Sequence, residues 1–296
     1  MAEKKRFFYG WLILLTCILI MGLGYAPLVS CASLFTKPVT EDLGFTRSGY
    51  ALVSTIAALM MAFMSPFIGK IMSKPYMHKA LVVCMIGNCL AYYCYSFAST
   101  LPQFYVTAAC IGFFECGSTM IPVSVLITNW FRKKRGLVMS IAMVGSSIGG
   151  TILSPIIGNL IASQGWRFTY KAVGITRLVI LVPLVLLVIR RTPADMGTKA
   201  YGADEEGETG KARKTEREWN VSLKEVKKKP MFWCFVLGCT LISATAAVIT
   251  QIPASVMDAG YATTTAASIA SLYLFIAIPG KLVLGHIYDR YGVKAG

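Results

Sequence analysis

Eight apolar runs constrain this chain more than any other feature. They are Phe8 to Val29, Ser48 to Met72, Ala80 to Phe97, Gln103 to Trp130, Gly136 to Ser163, Phe168 to Ile189, Met231 to Met257 and Thr264 to Tyr288. A bilayer's hydrocarbon core is roughly 30 Å thick, which about 20 helical residues cross. In lipid the backbone must satisfy its own hydrogen bonds, and an α-helix does so within each segment, whereas a barrel would show short alternating segments. The chain therefore reads as an all-α membrane protein. A 55% hydrophobic composition with only 15% charged residues fits nothing globular. The formal charge of +15 would suit a nucleic-acid binder, but the cations form short clusters between apolar runs, not a stripe interleaved with aromatics. No nucleic-acid partner is expected; lipid is.

Cations in short loops are retained on the cytoplasmic side. Lys37, Arg47, Arg167 and Lys171 fall on one side, and Arg177 and Lys281 fall within spans. Every other one of the 29 Lys and Arg falls on the opposite side. That asymmetry puts both chain ends in the cytoplasm and makes "FRKKRG", Phe131 to Gly136, the cytoplasmic hairpin between spans four and five. Trp130 and Phe131 are expected at headgroup level.

"KKR" before the first run resembles a signal peptide, but the run is too long for one and no small-residue cleavage site follows. "LVSC", Leu28 to Cys31, resembles a lipoprotein box, a reading that seven further spans oppose. The nine cysteines lack metal-ligand spacing and read as small packing residues. From Thr192 to Lys229 the chain becomes charged and Gly-rich, a solvated connector. It closes on "SLKE", a capping box with Ser222 as N-cap and Glu225 at the third helical position, opening a short surface helix that Pro230 ends.

Six spans, a basic loop and a second set of spans resemble the plan of the major facilitator superfamily. "GHIYDRYGVK", Gly285 to Lys294, is similar to its signature loop. The equivalent "GKIMSKPYMHK" keeps Gly69 but has Ser73 and Tyr76 where an acid and a second glycine are usual. "YGWLIL", "NWFRKKRGLVMSIAMVGSSIGG", "GWRFTY", "RRTPADMG" and "SLKEVKKKPMFW" resemble the oxalate/formate antiporter and monocarboxylate porter group. The resemblance implies a major facilitator fold with a complete N-terminal six-helix bundle (1–191), a cytoplasmic linker (192–230) and the first two helices of a C-terminal bundle (231–296). Members of that group have twelve spans, so the chain is expected to be C-terminally truncated. The implied setting is a multi-pass protein of a cell inner membrane with its N-terminus in the cytoplasm.

Substrate in such transporters sits near the midplane between two halves that rock around it. Ionisable groups within spans are the natural candidates for the chemistry, because charge in hydrocarbon is costly unless it faces water or a partner. Glu115 lies about twelve residues into span four, roughly 18 Å from the outer end. It reads either as a proton-coupling or substrate-orienting acid, or as a protonated carboxyl bonded to a neighbouring helix. Arg177, in a span the resemblance makes peripheral, is expected to snorkel outwards or pair within the bundle, and Lys281 to snorkel. Tyr25, Thr119 and Tyr273 complete the substrate-facing candidates. Carboxylate porters of the group typically carry a lysine in span one and an arginine in span eight. The matching regions here offer Tyr25 and Ser30, and Ile278, with Lys281 one turn from Ile278. The glycines and serine at Gly145, Gly149, Gly150, Ser154 and Gly158 are spaced for close helix packing. At the cytoplasmic side Gly285, Asp289 and Arg290 of the signature loop, with Gly136 at the start of span five, are expected to form a conformational gate. Asp289 would meet free backbone N–H groups there.

These features point to a secondary transporter of a small organic anion, by exchange or proton coupling. A transporter of a sugar or drug, or a non-transporting fragment, are the alternatives. No phosphate loop, metal cluster or nucleophile–base pair suggests an enzyme, and no cofactor or metal is expected.

Overall fold

The computed structural model describes residues 8–202 and 223–291. Helix α1 spans Gly10–Leu43, α2 Arg47–Met72, α3 Met77–Phe97 and α4 Leu101–Trp130. The next helical stretch, Arg135–Val188, has 54 residues, about 80 Å of straight helix and far more than a bilayer needs. It holds two spans, α5 (135–164) and α6 (166–188), separated by Gly165 alone, whose φ of 81° and ψ of 165° suit glycine and few other residues. The chain reverses there. Arg135 Nε donates to the Phe131 carbonyl and Trp130 Nε1 donates to the Arg190 carbonyl, so both ends of the stretch meet at one end of the molecule. The loop expected between Ser163 and Phe168 is thus a single non-helical residue. α7 covers Pro230–Asp258 and α8 Thr263–Tyr291.

A single turn, Leu223–Val226, precedes α7. The expected cap Ser222 and most of the charged connector lie outside the described residues. Pro230, expected to end the turn, is the first residue of α7, where its missing N–H removes no helical bond.

Two hydrophobic clusters lie one towards each end. At the end carrying Arg132 to Arg135, called here the basic end, Ile13, Met72, Met77, Leu126, Trp130, Phe131 and Val185 pack together. Trp130 and Phe131 do not face lipid: both are wholly buried. Phe8, Tyr9, Trp11 and Tyr201 surround them with their rings. Tyr201 N donates to the Trp130 carbonyl at 2.9 Å and Arg132 N to the Tyr201 carbonyl at 3.0 Å. The chain beyond α6 thus folds back over the hairpin and covers its aromatics.

At the opposite end Phe35, Tyr50, Tyr95, Phe104, Trp166 and Tyr170 form the second cluster. The sparse cations of that side gather around it. Arg167 donates to the carbonyls of Ser96 and Ala98, Lys37 to that of Met257, Arg47 pairs with Asp258, and Lys171 lies over Phe97.

α5 is the central rail, and its small residues divide between two neighbours. A Cβ on Gly145 or Gly149 would run into the backbone of Ile18 or Gly22 in α1. On the other face Gly158 meets Ala267 and Gly150 meets Leu274, both of α8, while Thr151 and Ser271 exchange hydroxyl-to-carbonyl hydrogen bonds. Most of α2 and of α7 shows apolar side chains outwards, as lipid-facing helices do; among the described side chains of α7, Pro253, Ala254 and Met257 in its last turns are buried.

Candidate functional site

Two spans lose regular α geometry at facing points, each just before a proline. In α1 the segment Ile20–Tyr25 is a π-helix; Pro27 has no N–H to return to the carbonyl four residues back, and the preceding turn widens. In α4 Thr119 leaves helical geometry with φ −121° and ψ −100°; Pro122 likewise cannot bond the Ser118 carbonyl. A Cβ placed on Gly24 would touch Thr119 Cγ2 at 3.7 Å and Leu181 Cδ1 of α6 at 3.6 Å, so the two broken segments abut. Beside the break the Glu115 carbonyl accepts from both the Thr119 hydroxyl at 2.9 Å and Thr119 N at 3.1 Å. Interrupted helices inside a membrane are tolerated where protein or a cavity satisfies the freed groups.

A sealed polar cluster adjoins this junction. Arg177 of α6, 1% exposed, donates through Nη2 to the Gly24 carbonyl at 2.9 Å and to Asn88 Oδ1 of α3, and its guanidinium lies 4.9 Å from the Tyr92 ring centre. Glu115 is 6% exposed and within electrostatic reach of Arg177, but the two do not form an ion pair. Five buried atoms here have no hydrogen-bond partner: Arg177 Nε and Nη1, Asn88 Nδ2, Tyr92 OH and Glu115 Oε1. Buried polar groups are normally satisfied, and each orphan costs on the order of 1–3 kcal/mol, so their concentration in one place marks a functional candidate.

The structure brings Tyr25, Thr119 and Glu115 together: Tyr25, mostly buried, lies within electrostatic reach of the Glu115 carboxyl. Tyr273 stands elsewhere, on α8 near Cys31 of α1, with its own hydroxyl unpartnered. Arg177 does not snorkel but takes the other expected course, pairing within the bundle. Lys281 does not snorkel either: its ammonium is tied to α5 through Ser146 Oγ at 2.8 Å and the Met143 carbonyl at 3.2 Å. Sequence reasoning passed over Asn88 and Tyr92. The available signal was the pairing of one amide in span three with one guanidinium in span six, two polar groups in hydrocarbon that need each other.

At the basic end Asp289 spans two backbone donors at the start of α5, accepting from Gly136 N at 2.9 Å and Leu137 N at 2.7 Å. A carboxylate is favoured there by the helix dipole and by the unpaired N–H groups of the first turn. The close approach requires glycine on both sides. A Cβ on Gly136 would stand 2.8 Å from Asp289 Oδ1, and one on Gly285 would overlap Ser140. Arg290 is exposed on the last turn of α8. In the equivalent loop after α2, Ser73 supplies no charge; its carbonyl accepts from Arg191 Nη2 at 2.8 Å.

The model of the Major Facilitator Superfamily matches residues 12–295. The chain belongs to this superfamily. Its members are transporters rather than enzymes, and the chain is a multi-pass membrane protein. In sequence it is similar to monocarboxylate transporter 2 of Homo sapiens, 24% identical over 229 residues, 76% of this chain and 45% of that protein. It is also similar to the MFS-type transporter pytF of Aspergillus terreus, 26% identical over 209 residues, 70% of this chain and 62% of that one. In fold it resembles a bacterial homologue of the human lysosomal transporter Spinster in an inward-facing, unoccupied conformation. That match has a TM-score of 0.74 at 18% identity and covers 99% of this chain and 64% of that one. The chain thus spans about half to two thirds of the length of these three proteins. Among the described residues no group of His, Cys, Asp or Glu could hold a metal, and all nine cysteines are free.

Proposed function

We propose that this chain moves a small organic anion across the membrane by alternating access, with Glu115 as the proton-coupling acid. The observation that carries the reading is the sealed Arg177–Glu115 cluster at two broken helices, a buried cation and a buried acid near the membrane's middle. Arg177 supplies positive charge that the span-one region around Tyr25 and the span-eight position Ile278 do not. The similarity to proteins named monocarboxylate transporters supports the substrate class. Tyr25 and Thr119 line the approach to Glu115, while Tyr273, on α8 near Cys31 of α1, is a separate substrate-facing candidate. Gly285, Asp289, Arg290 and Gly136 form the gate at the basic end, which the distribution of Lys and Arg assigns to the cytoplasm. Residues 1–191 make the first bundle, 192–230 the linker and 231–296 the opening of a second bundle, in a cell inner membrane.

A neutral solute is the second reading. It is favoured by the same missing cations and by Lys281 being engaged with α5. Uptake of labelled monocarboxylates and dicarboxylates into proteoliposomes, with sugars and unlabelled acids as competitors, separates the two. Saturable uptake suppressed by acids alone supports the anion reading; uptake suppressed by sugars, or none at all, opposes it.

A further inference from the structure

Arg177 holds the irregular part of α1 in place. Its Nη2 reaches the Gly24 carbonyl inside the π-helical segment, the ring of Tyr92 supports its face, and Asn88 orients it from α3. Within this fixed shell the guanidinium keeps Nε and Nη1 unsatisfied, and Glu115 on the adjoining helix keeps Oε1 unsatisfied. A carboxyl group and a guanidinium, both buried and in electrostatic reach yet unpaired, are two partners of an interaction that has a second arrangement available.

We propose that Arg177 is a latch on the broken segment of α1 and that Glu115 sets its grip. With Glu115 neutral the guanidinium holds Gly24 and Asn88, the arrangement observed. When Glu115 gives up its proton, an unpaired buried carboxylate is far costlier than an unpaired carbonyl, and the guanidinium turns towards Oε1 and releases Gly24. The π-helical segment, already short of the bond that Pro27 cannot supply, then loses its external support, and α1 bends against α4 and α6. Arg177 acts through Glu115 and α1, so it is a positioning residue for the transport cycle.

The other titratable groups acting on the pair are Tyr25 of α1, Cys89, Tyr92 and Tyr95 of α3, and Cys116 of α4. Phenols and thiols are uncharged in their ordinary range near neutral pH, which leaves Arg177 and Glu115 as the charges that decide the arrangement. The proposal rests on Glu115 exchanging a proton, as in the function proposed above.

Amide hydrogen exchange of the full chain in lipid nanodiscs, read on peptides covering residues 18–30 across pH and corrected for intrinsic exchange, tests it without substrate. Loss of a hydrogen bond to a charged donor corresponds to about a tenfold change. Wild-type exchange should therefore rise about tenfold on passing from acid to alkaline pH. Glu115→Gln should stay slow throughout and Arg177→Gln fast throughout. The double variant Arg177→Gln/Glu115→Gln, which leaves no unpaired buried charge to compromise folding, should also be fast and flat. A pH-dependent wild type whose dependence survives in Arg177→Gln would overturn the latch while leaving Glu115 as the proton site. A wild type flat with pH would overturn both.

Discussion

Replacing Asp289 by Asn keeps the side chain's shape but removes its charge and one of its two acceptor oxygens. The structure shows what is lost: one of the bonds to Gly136 N and Leu137 N, and the charge on the one that remains. A charge-assisted hydrogen bond contributes about 1.5–3 kcal/mol net, and a carboxylate at an exposed helix N-terminus about 0.3–1 kcal/mol. Asp289 is exposed, so solvent screening places the expected loss near the low end, about 1–2 kcal/mol. That corresponds to roughly a 5- to 30-fold shift away from the closed arrangement of α5 and α8. Spin labels on Lys134→Cys and Arg290→Cys, in a background freed of native cysteines, report the separation directly by pulsed electron resonance. The Asp289→Asn variant should raise the long-distance population by that factor. Distance distributions that coincide with and without the substitution would refute the reasoning.

Gly149→Leu drives a side chain into the backbone of Gly22 and should cost about 1–3 kcal/mol or more of overpacking, seen as a lower thermal midpoint in detergent; an unchanged midpoint would deny the α1–α5 contact. Trp130→Ala empties a wholly buried site and breaks the bond to the Arg190 carbonyl, and should cost about 3–5 kcal/mol, with a loss under 1 kcal/mol counting against the folded-back tail. Arg47→Gln removes a partly exposed ion pair with Asp258 and should change stability by no more than about 1 kcal/mol, an effect that vanishes in high salt; a large salt-independent loss would show the pair to be buried in the working protein. Lys134→Cys should resist impermeant thiol reagents added outside intact cells, and labelling from outside would reverse the proposed orientation.

The spans were legible because hydrocarbon demands long apolar runs whatever the tertiary detail, and the same rule made Glu115 conspicuous. The approach of Asp289 to the start of α5 followed from the signature loop and the free N–H groups beside Gly136. The neighbours of Glu115 were not legible. Arg177 lies in a span that the family resemblance makes peripheral, and its partners Gly24 and Asn88 are 153 and 89 residues away in sequence, so nothing local names them. The covering of the hairpin aromatics was hidden for a similar reason. Trp130 and Phe131 beside four cations match an interfacial pattern, and nothing local indicates that Tyr201, deep in a polar stretch, returns to cover them. The interruptions of α1 and α4 were encoded by Pro27 and Pro122, yet a proline within a span does not say whether the helix continues, kinks or widens.

Proton movement linked to anion movement through Glu115 is the central step of the proposed cycle. An outward monocarboxylate gradient imposed on proteoliposomes carrying a trapped pH dye should alkalinise the lumen in wild type, as protons leave with the anion. Glu115→Gln should exchange labelled anion for unlabelled anion at a comparable rate while leaving the lumenal pH unmoved. A Glu115→Gln variant that alkalinises the lumen like wild type would contradict the account.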